Sequence, residues 1–274
     1  MLKPGLVALL VSVLLLALTS VFLGLAGFLQ MKSVSVGFVE AEQTASWEPI
    51  NQALALLASA GVVFLLLFPH ERAERGFLDA VHVRPLAGAV VGLCFATGVA
   101  MQFGLAELGN LGQEIWPMSF ETLAKIHAML TPKTLGEGLS AVFAFVLVPP
   151  VVEELVFRGW LLPMLRKAYG TPAGLALSSL LFGAVHGQPS AILFATIAGV
   201  ILGAIAIRTK STLASIAVHA GVNATPLFFP VTLIRIDGFN TLPNDVEHIA
   251  PWLVAGSVVV AGGLLMLIWR ATEE

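Results

Sequence analysis

The sequence predicts an all-α polytopic membrane protein of about eight transmembrane helices, with a polar site buried between its core helices. Three observations predict it. The 274 residues are 57% hydrophobic and only 11% charged, with a mean hydropathy of +0.92. Apolar runs long enough to cross roughly 30 Å of hydrocarbon recur along the chain. Ionisable groups stand inside some of those runs, where lipid makes them expensive. A soluble domain carries roughly 25% charged residues, so this chain cannot clothe a water-facing surface. Its apolar runs do not alternate as barrel strands do, and in lipid a helix bonds every backbone amide within itself.

The predicted spans fall near 6–29, 52–69, 86–106, 139–163, 171–188, 190–207, 211–229 and 251–269. The first follows Lys3 but is longer than the roughly 7–15 residues of a signal-peptide core, so it reads as an uncleaved span. The polar stretch 70–85 is expected to be an interfacial helix. Within 107–138, Trp116 and the mixed segment Ser119–Leu130 suggest a second helix lying on the outer surface. The fifth and sixth spans are short, and the "GQPS" that joins them predicts a tight hairpin.

Charge sets the expected orientation, since cytoplasmic loops carry the excess of Lys and Arg. Eight spans put Lys3, Arg72, Arg75, Arg84, Arg166, Lys167, Arg208, Lys210 and Arg270 on one side, and Lys32, Lys125, Lys133 and Arg235 on the other. Nine against four places both termini in the cytoplasm of a plasma (inner) membrane. The expected organisation is an N-terminal helical region over 1–138, a core over 139–229, and an outer loop with a last span over 230–274. A net charge of −3 supplies no basic field for nucleic acid. The single cysteine, Cys94, excludes an internal disulfide and a Cys-rich zinc site.

Three polar clusters interrupt the spans: "EELVFR" at 153–158, "FGAVH" at 182–186 and "HAGVN" at 219–223. Glu154 and Arg158 are four apart and share a helix face; they either neutralise each other as a structural pair or belong to a site. Glu153 points about 100° away and has no partner on its own face. Phe182 and His186 lie one turn apart, as do His219 and Asn223. Taken singly, a histidine or asparagine in a span is a common structural hydrogen-bonding residue. Depth changes the balance. At about 1.5 Å per residue, Glu153 lies roughly 15 Å from the cytoplasmic end of its span, His186 roughly 20 Å, His219 roughly 12 Å and Asn223 roughly 18 Å. One carboxylate, two imidazoles and one amide thus converge on one slab. A glutamate and a histidine can hold and deprotonate water, and a second histidine with an amide N–H can stabilise the oxyanion that follows. No G-x-S-x-G elbow is present.

These clusters resemble the EExxxR, FxxxH and HxxxN signature of the CPBP intramembrane proteases, also called the Abi family. That family includes type II CAAX prenyl proteases and bacteriocin-processing or immunity proteins. All three motifs match in order over about 139–225. The resemblance implies an intramembrane endopeptidase acting on a membrane-embedded or lipidated substrate. It further implies Glu153 as general base, His186 as its partner on the water, and His219 with Asn223 at the oxyanion. Glu154 is counted with the catalytic set, while Arg158 and Phe182 support it. Glu153, His186 and His219 would also be a legitimate zinc ligand set, so zinc stays open; the absence of H-E-x-x-H and the amide at Asn223 favour a glutamate–histidine water site. Two other readings remain. One is a non-catalytic scaffold or immunity protein of the same fold. The other is a proton-coupled transporter, which the absence of repeated halves disfavours.

Overall fold

The computed structural model describes residues 3–33, 47–68, 74, 76–242 and 245–273. Among them there is no strand, and the protein is an all-α polytopic membrane protein. The long helices are α1 (Pro4–Ser33), α2 (Pro49–Leu67), α4 (Gly88–Ile115), α6 (Leu135–Tyr169), α8 (Pro189–Thr209) and α10 (Pro251–Ala271). These six are long and apolar enough to cross a membrane. Between them lie α3 (Phe77–Ala80), α5 (Phe120–Leu130), α7 (Thr171–Ala184) and α9 (Thr212–Phe228).

All eight predicted spans are helical, but two are short. At 1.5 Å per residue the 14 residues of α7 and the 17 of α9 reach about 21 and 25 Å, below the roughly 30 Å of hydrocarbon. The span expected over 171–188 stops at Ala184. Gly187 turns the chain with φ +73°, and Pro189 opens α8. Of the interfacial helix expected over 70–85, residues 70–73 and 75 lie outside the described residues, Arg72 and Arg75 among them; the described remainder is mostly not helical and holds only the single turn α3. The helix expected within Ser119–Leu130 is α5, whose Ser119 hydroxyl accepts from the Thr122 amide at 3.2 Å, a normal N-cap.

Contacts sort the described helix ends into two groups. At one end the Gly5 amide donates to the Tyr169 hydroxyl, Ser211 bonds Arg84, and Arg208 donates to the Trp269 carbonyl. At the other, Lys125 sits over the Trp47 ring and Asn110 donates to the Gly238 carbonyl. α9 packs along α4 at a crossing with no room for side chains. A methyl group on Gly98 would strike the Val218 carbonyl, and one on Gly221 the Phe95 carbonyl. Small residues serve membrane bundles in this way, letting backbones approach closely.

The loop before α10 is tied to α4 by His248, which bonds Glu107 at 2.7 Å and Glu114 at 3.2 Å. The Glu107 hydrogen bond, reinforced by Glu114, raises the His248 pKa above its ordinary value. A raised folded-state pKa stabilises fully below the unfolded value of about 6.5 and is lost as pH rises through the folded value. The protein should therefore be more resistant to proteolysis within 245–250 at pH 6 than at pH 8.5. His248→Gln should erase most of that pH dependence; an unchanged profile would refute the assignment.

Candidate active site

The site is built on α6, which is not a regular α-helix. Residues Leu135–Ala141 are α-helical, Val142–Leu147 π-helical, Val148–Glu154 α-helical, Leu155–Leu161 π-helical and Leu162–Tyr169 α-helical. π turns inside helices are rare and concentrate at functional sites. Part of the cause can be read from the sequence. Pro149 and Pro150 carry no amide hydrogen, so the Phe145 carbonyl lacks its main-chain donor at both the fourth and the fifth residue ahead. Asn223 supplies one from α9, its Nδ2 donating to that carbonyl at 2.8 Å. One of the two amide hydrogens of Asn223 is thereby committed, and the other remains.

Glu154 stands at the centre. It is fully buried, and its Oε1 accepts from Arg158 Nη1 at 2.8 Å and from His219 Nδ1 at 3.1 Å. Arg158, also buried, donates from Nη2 to the Gly199 carbonyl of α8 at 3.1 Å and lies over the Phe182 ring at 4.1 Å. The open carbonyl face of Gly199 depends on the absence of a side chain there, since a methyl group would press on Ser179 and Phe182. Phe182 in turn meets His186 and His219 edge-on, at 5.1 and 5.8 Å between ring centres. Residues from α6, α7, α8 and α9 thus form one connected cluster.

The hydrogen bonds also set the state of both imidazoles. His186 lies in the turn after α7, and its Nδ1 meets the Phe182 carbonyl at 2.9 Å. A carbonyl only accepts, so Nδ1 carries the proton and Nε2 of the neutral ring is bare. The carboxylate facing His219 Nδ1 imposes the same arrangement, leaving its Nε2 free as well.

Glu153 is separate from this cluster. Its Oε2 is shielded and has no hydrogen-bond partner among the described residues. It borders a cavity of about 260 Å³ between α1, α2 and α6, lined also by Leu16, Thr19, Gln52, Phe145 and Val185. Val185 adjoins His186, but no hydrogen bond joins Glu153 to His186. The structure therefore unites Glu154, Arg158, Phe182, His186 and His219, attaches Asn223 through Phe145, and leaves Glu153 at the edge facing the cavity. The tie from His219 to Glu154 was not legible in the sequence. Among the described residues no three His, Cys, Asp or Glu side chains lie close enough to hold a metal ion. Glu153, His186 and His219 as arranged do not make the zinc set, and no step below runs through a metal.

A family model described as type II CAAX prenyl endopeptidase Rce1-like matches residues 136–225. The match spans α6 to α9, the helices that carry all three motifs. Neither a curated protein nor a solved structure matches the chain. The Glu154–Arg158–His219 cluster lies inside the segment that is similar to this type II CAAX prenyl endopeptidase family.

Proposed function

We propose that the chain is an intramembrane endopeptidase that hydrolyses a peptide bond of a membrane-associated or lipidated substrate, with water as the nucleophile. The carrying observation is the convergence of three separate motifs on one buried, hydrogen-bonded cluster inside the family-matched segment. Glu153 and the bare Nε2 of His186 are the bases for the water proton. Attack on the scissile carbonyl makes an oxyanion, and the second amide hydrogen of Asn223 is a donor for it. His219 serves the oxyanion when Nε2 is protonated, the imidazolium form in which both ring nitrogens donate. Glu154 then faces that charge across Nδ1, while Arg158 holds Glu154 in place. The proton taken from water passes to the departing amine. The substrate reaches Glu153 through the cavity between α1, α2 and α6, whose wall mixes leucines with Thr19 and Gln52, as an extended peptide beside an apolar anchor requires.

The test is cleavage by purified protein in lipid nanodiscs, using membrane-tethered fluorogenic peptides with and without a prenyl group. Cleavage should persist after treatment with a strong chelator, at unchanged rate. Absence of cleavage of any tethered peptide would sink the peptidase reading. Loss on chelation with recovery on added Zn²⁺ would instead overturn the metal-free water step alone.

A further inference from the structure

The basic end of the bundle holds a second cavity, of about 210 Å³, that the proposed hydrolysis does not use. It lies where the loop before α4, the last turns of α6 and the α8–α9 turn meet, and His82, Arg84, Arg158, Arg166 and Lys210 line it. No acidic side chain among the described residues does. Among the described residues Arg84, Arg166 and Lys210 have no carboxylate partner; Arg166 bonds only the Thr171 hydroxyl, at 3.3 Å. Unpaired cations crowded into a concave wall cost energy that an anion would return.

A second observation points to the same place. Among the described residues the only non-glycine positions with positive φ are His82 at 56° and Lys210 at 55°. Both line this cavity. Left-handed backbone costs a branched or long residue roughly 1 kcal/mol or more and persists where surrounding structure over-determines it. Here four hydrogen bonds do so. The Thr212 amide and hydroxyl donate to the His82 and Val81 carbonyls, both at 2.8 Å. The Ser211 hydroxyl donates to the Arg84 carbonyl at 2.7 Å and accepts from its amide at 3.2 Å. His82 Nδ1 donates to the Gly159 carbonyl at 3.1 Å, leaving Nε2 for a ligand. Glycine or asparagine would relieve the strain at Lys210, yet a lysine stands there, on the wall of a cavity rich in cations.

From this geometry we infer that the cavity is a phosphate-binding site, and that its occupant in the membrane is the headgroup of an anionic phospholipid. The volume exceeds several waters at roughly 30 Å³ each, so a tetrahedral oxyanion fits. Arg84 and Arg166 present the forked donors that phosphate oxygens match. The ends of α6 and α8 place the site at headgroup level, where basic pockets between membrane helices collect anionic lipids. The inference stands apart from the peptidase reading.

The test titrates the full chain in detergent with short-chain phosphatidylglycerol, short-chain phosphatidylcholine and inorganic phosphate, reading thermal stability. Phosphatidylglycerol should raise the melting temperature saturably and phosphatidylcholine should not. Arg84→Gln with Lys210→Asn should weaken phosphatidylglycerol roughly 25-fold, at about fivefold per basic residue. Lys210→Asn alone, at a backbone that asparagine tolerates, should weaken it about fivefold and serves if the pair does not fold. Lys167→Gln with Arg270→Gln removes equal charge from the same end outside the cavity and should leave the affinity unchanged. If inorganic phosphate reproduces the shift and blocks the lipid, the site stands as a phosphate site and free phosphate is its occupant. Equal losses in the two paired variants, or wild-type affinity in the cavity variants, would overturn the inference.

Discussion

Glu153→Gln is expected to abolish peptide cleavage while leaving the protein folded in the membrane. The substitution keeps the volume and removes the basic oxygen. Because Oε2 has no hydrogen-bond partner among the described residues, the amide breaks no bond that supports the fold. A lost general base costs typically about 10²–10⁴ in rate, which places residual cleavage near the background of most assays. Glu154→Gln makes an informative contrast. That side chain is fully buried between a guanidinium and an imidazole, so neutralising it should lower yield and melting temperature as well as rate. Full activity in a well-folded Glu153→Gln protein would remove Glu153 from the mechanism.

Arg158→Ala should have the largest effect on stability. It deletes the 2.8 Å bond to Glu154, the bond to the Gly199 carbonyl and the cover over Phe182. The dominant cost is the carboxylate left behind, with no exposure to water through which to recover hydration. Breaking a buried ion pair from one side typically costs about 3–5 kcal/mol, whereas removing both charges costs less. The single variant should accumulate poorly or melt well below wild type, and adding Glu154→Gln should restore part of the loss. A melting temperature equal to wild type in the single variant would show that Glu154 is not charged in the folded protein.

Much of this architecture was legible because lipid simplifies the code. Long apolar runs announced the helices, and spacings of four put Glu154 with Arg158 and Phe182 with His186 on common faces. What stayed hidden was whatever depends on partners far along the chain. Glu154 and His219 are 65 residues apart, and no pattern in a single sequence pairs them. The end of α7 was set too late because apolar residues continue to Val185, and the Gly187–Pro189 turn was weighed only as a connector. One long-range tie did leave a signal. Consecutive prolines inside a span orphan a particular carbonyl, so a donor had to be found for Phe145, and Asn223 was among the few polar side chains available. The strained backbone at Lys210 left none, since a left-handed position is readable only when glycine or asparagine marks it.

The two π-helical stretches of α6 make this region sensitive to gaps as well as to letters. Each π turn accommodates one residue more than an α turn. Five α residues cover nearly the same rotation as the six π residues of 142–147, so excising a single residue there would let the helix close into regular α geometry and leave Glu153 and Glu154 facing much as they do now. Excising one from the α-helical stretch that follows, before Glu153, would instead swing both glutamates by about 100° against the helix ahead of them. For relatives of this protein, a one-residue gap within 142–147 is therefore compatible with the same site, and a gap between there and Glu153 is not.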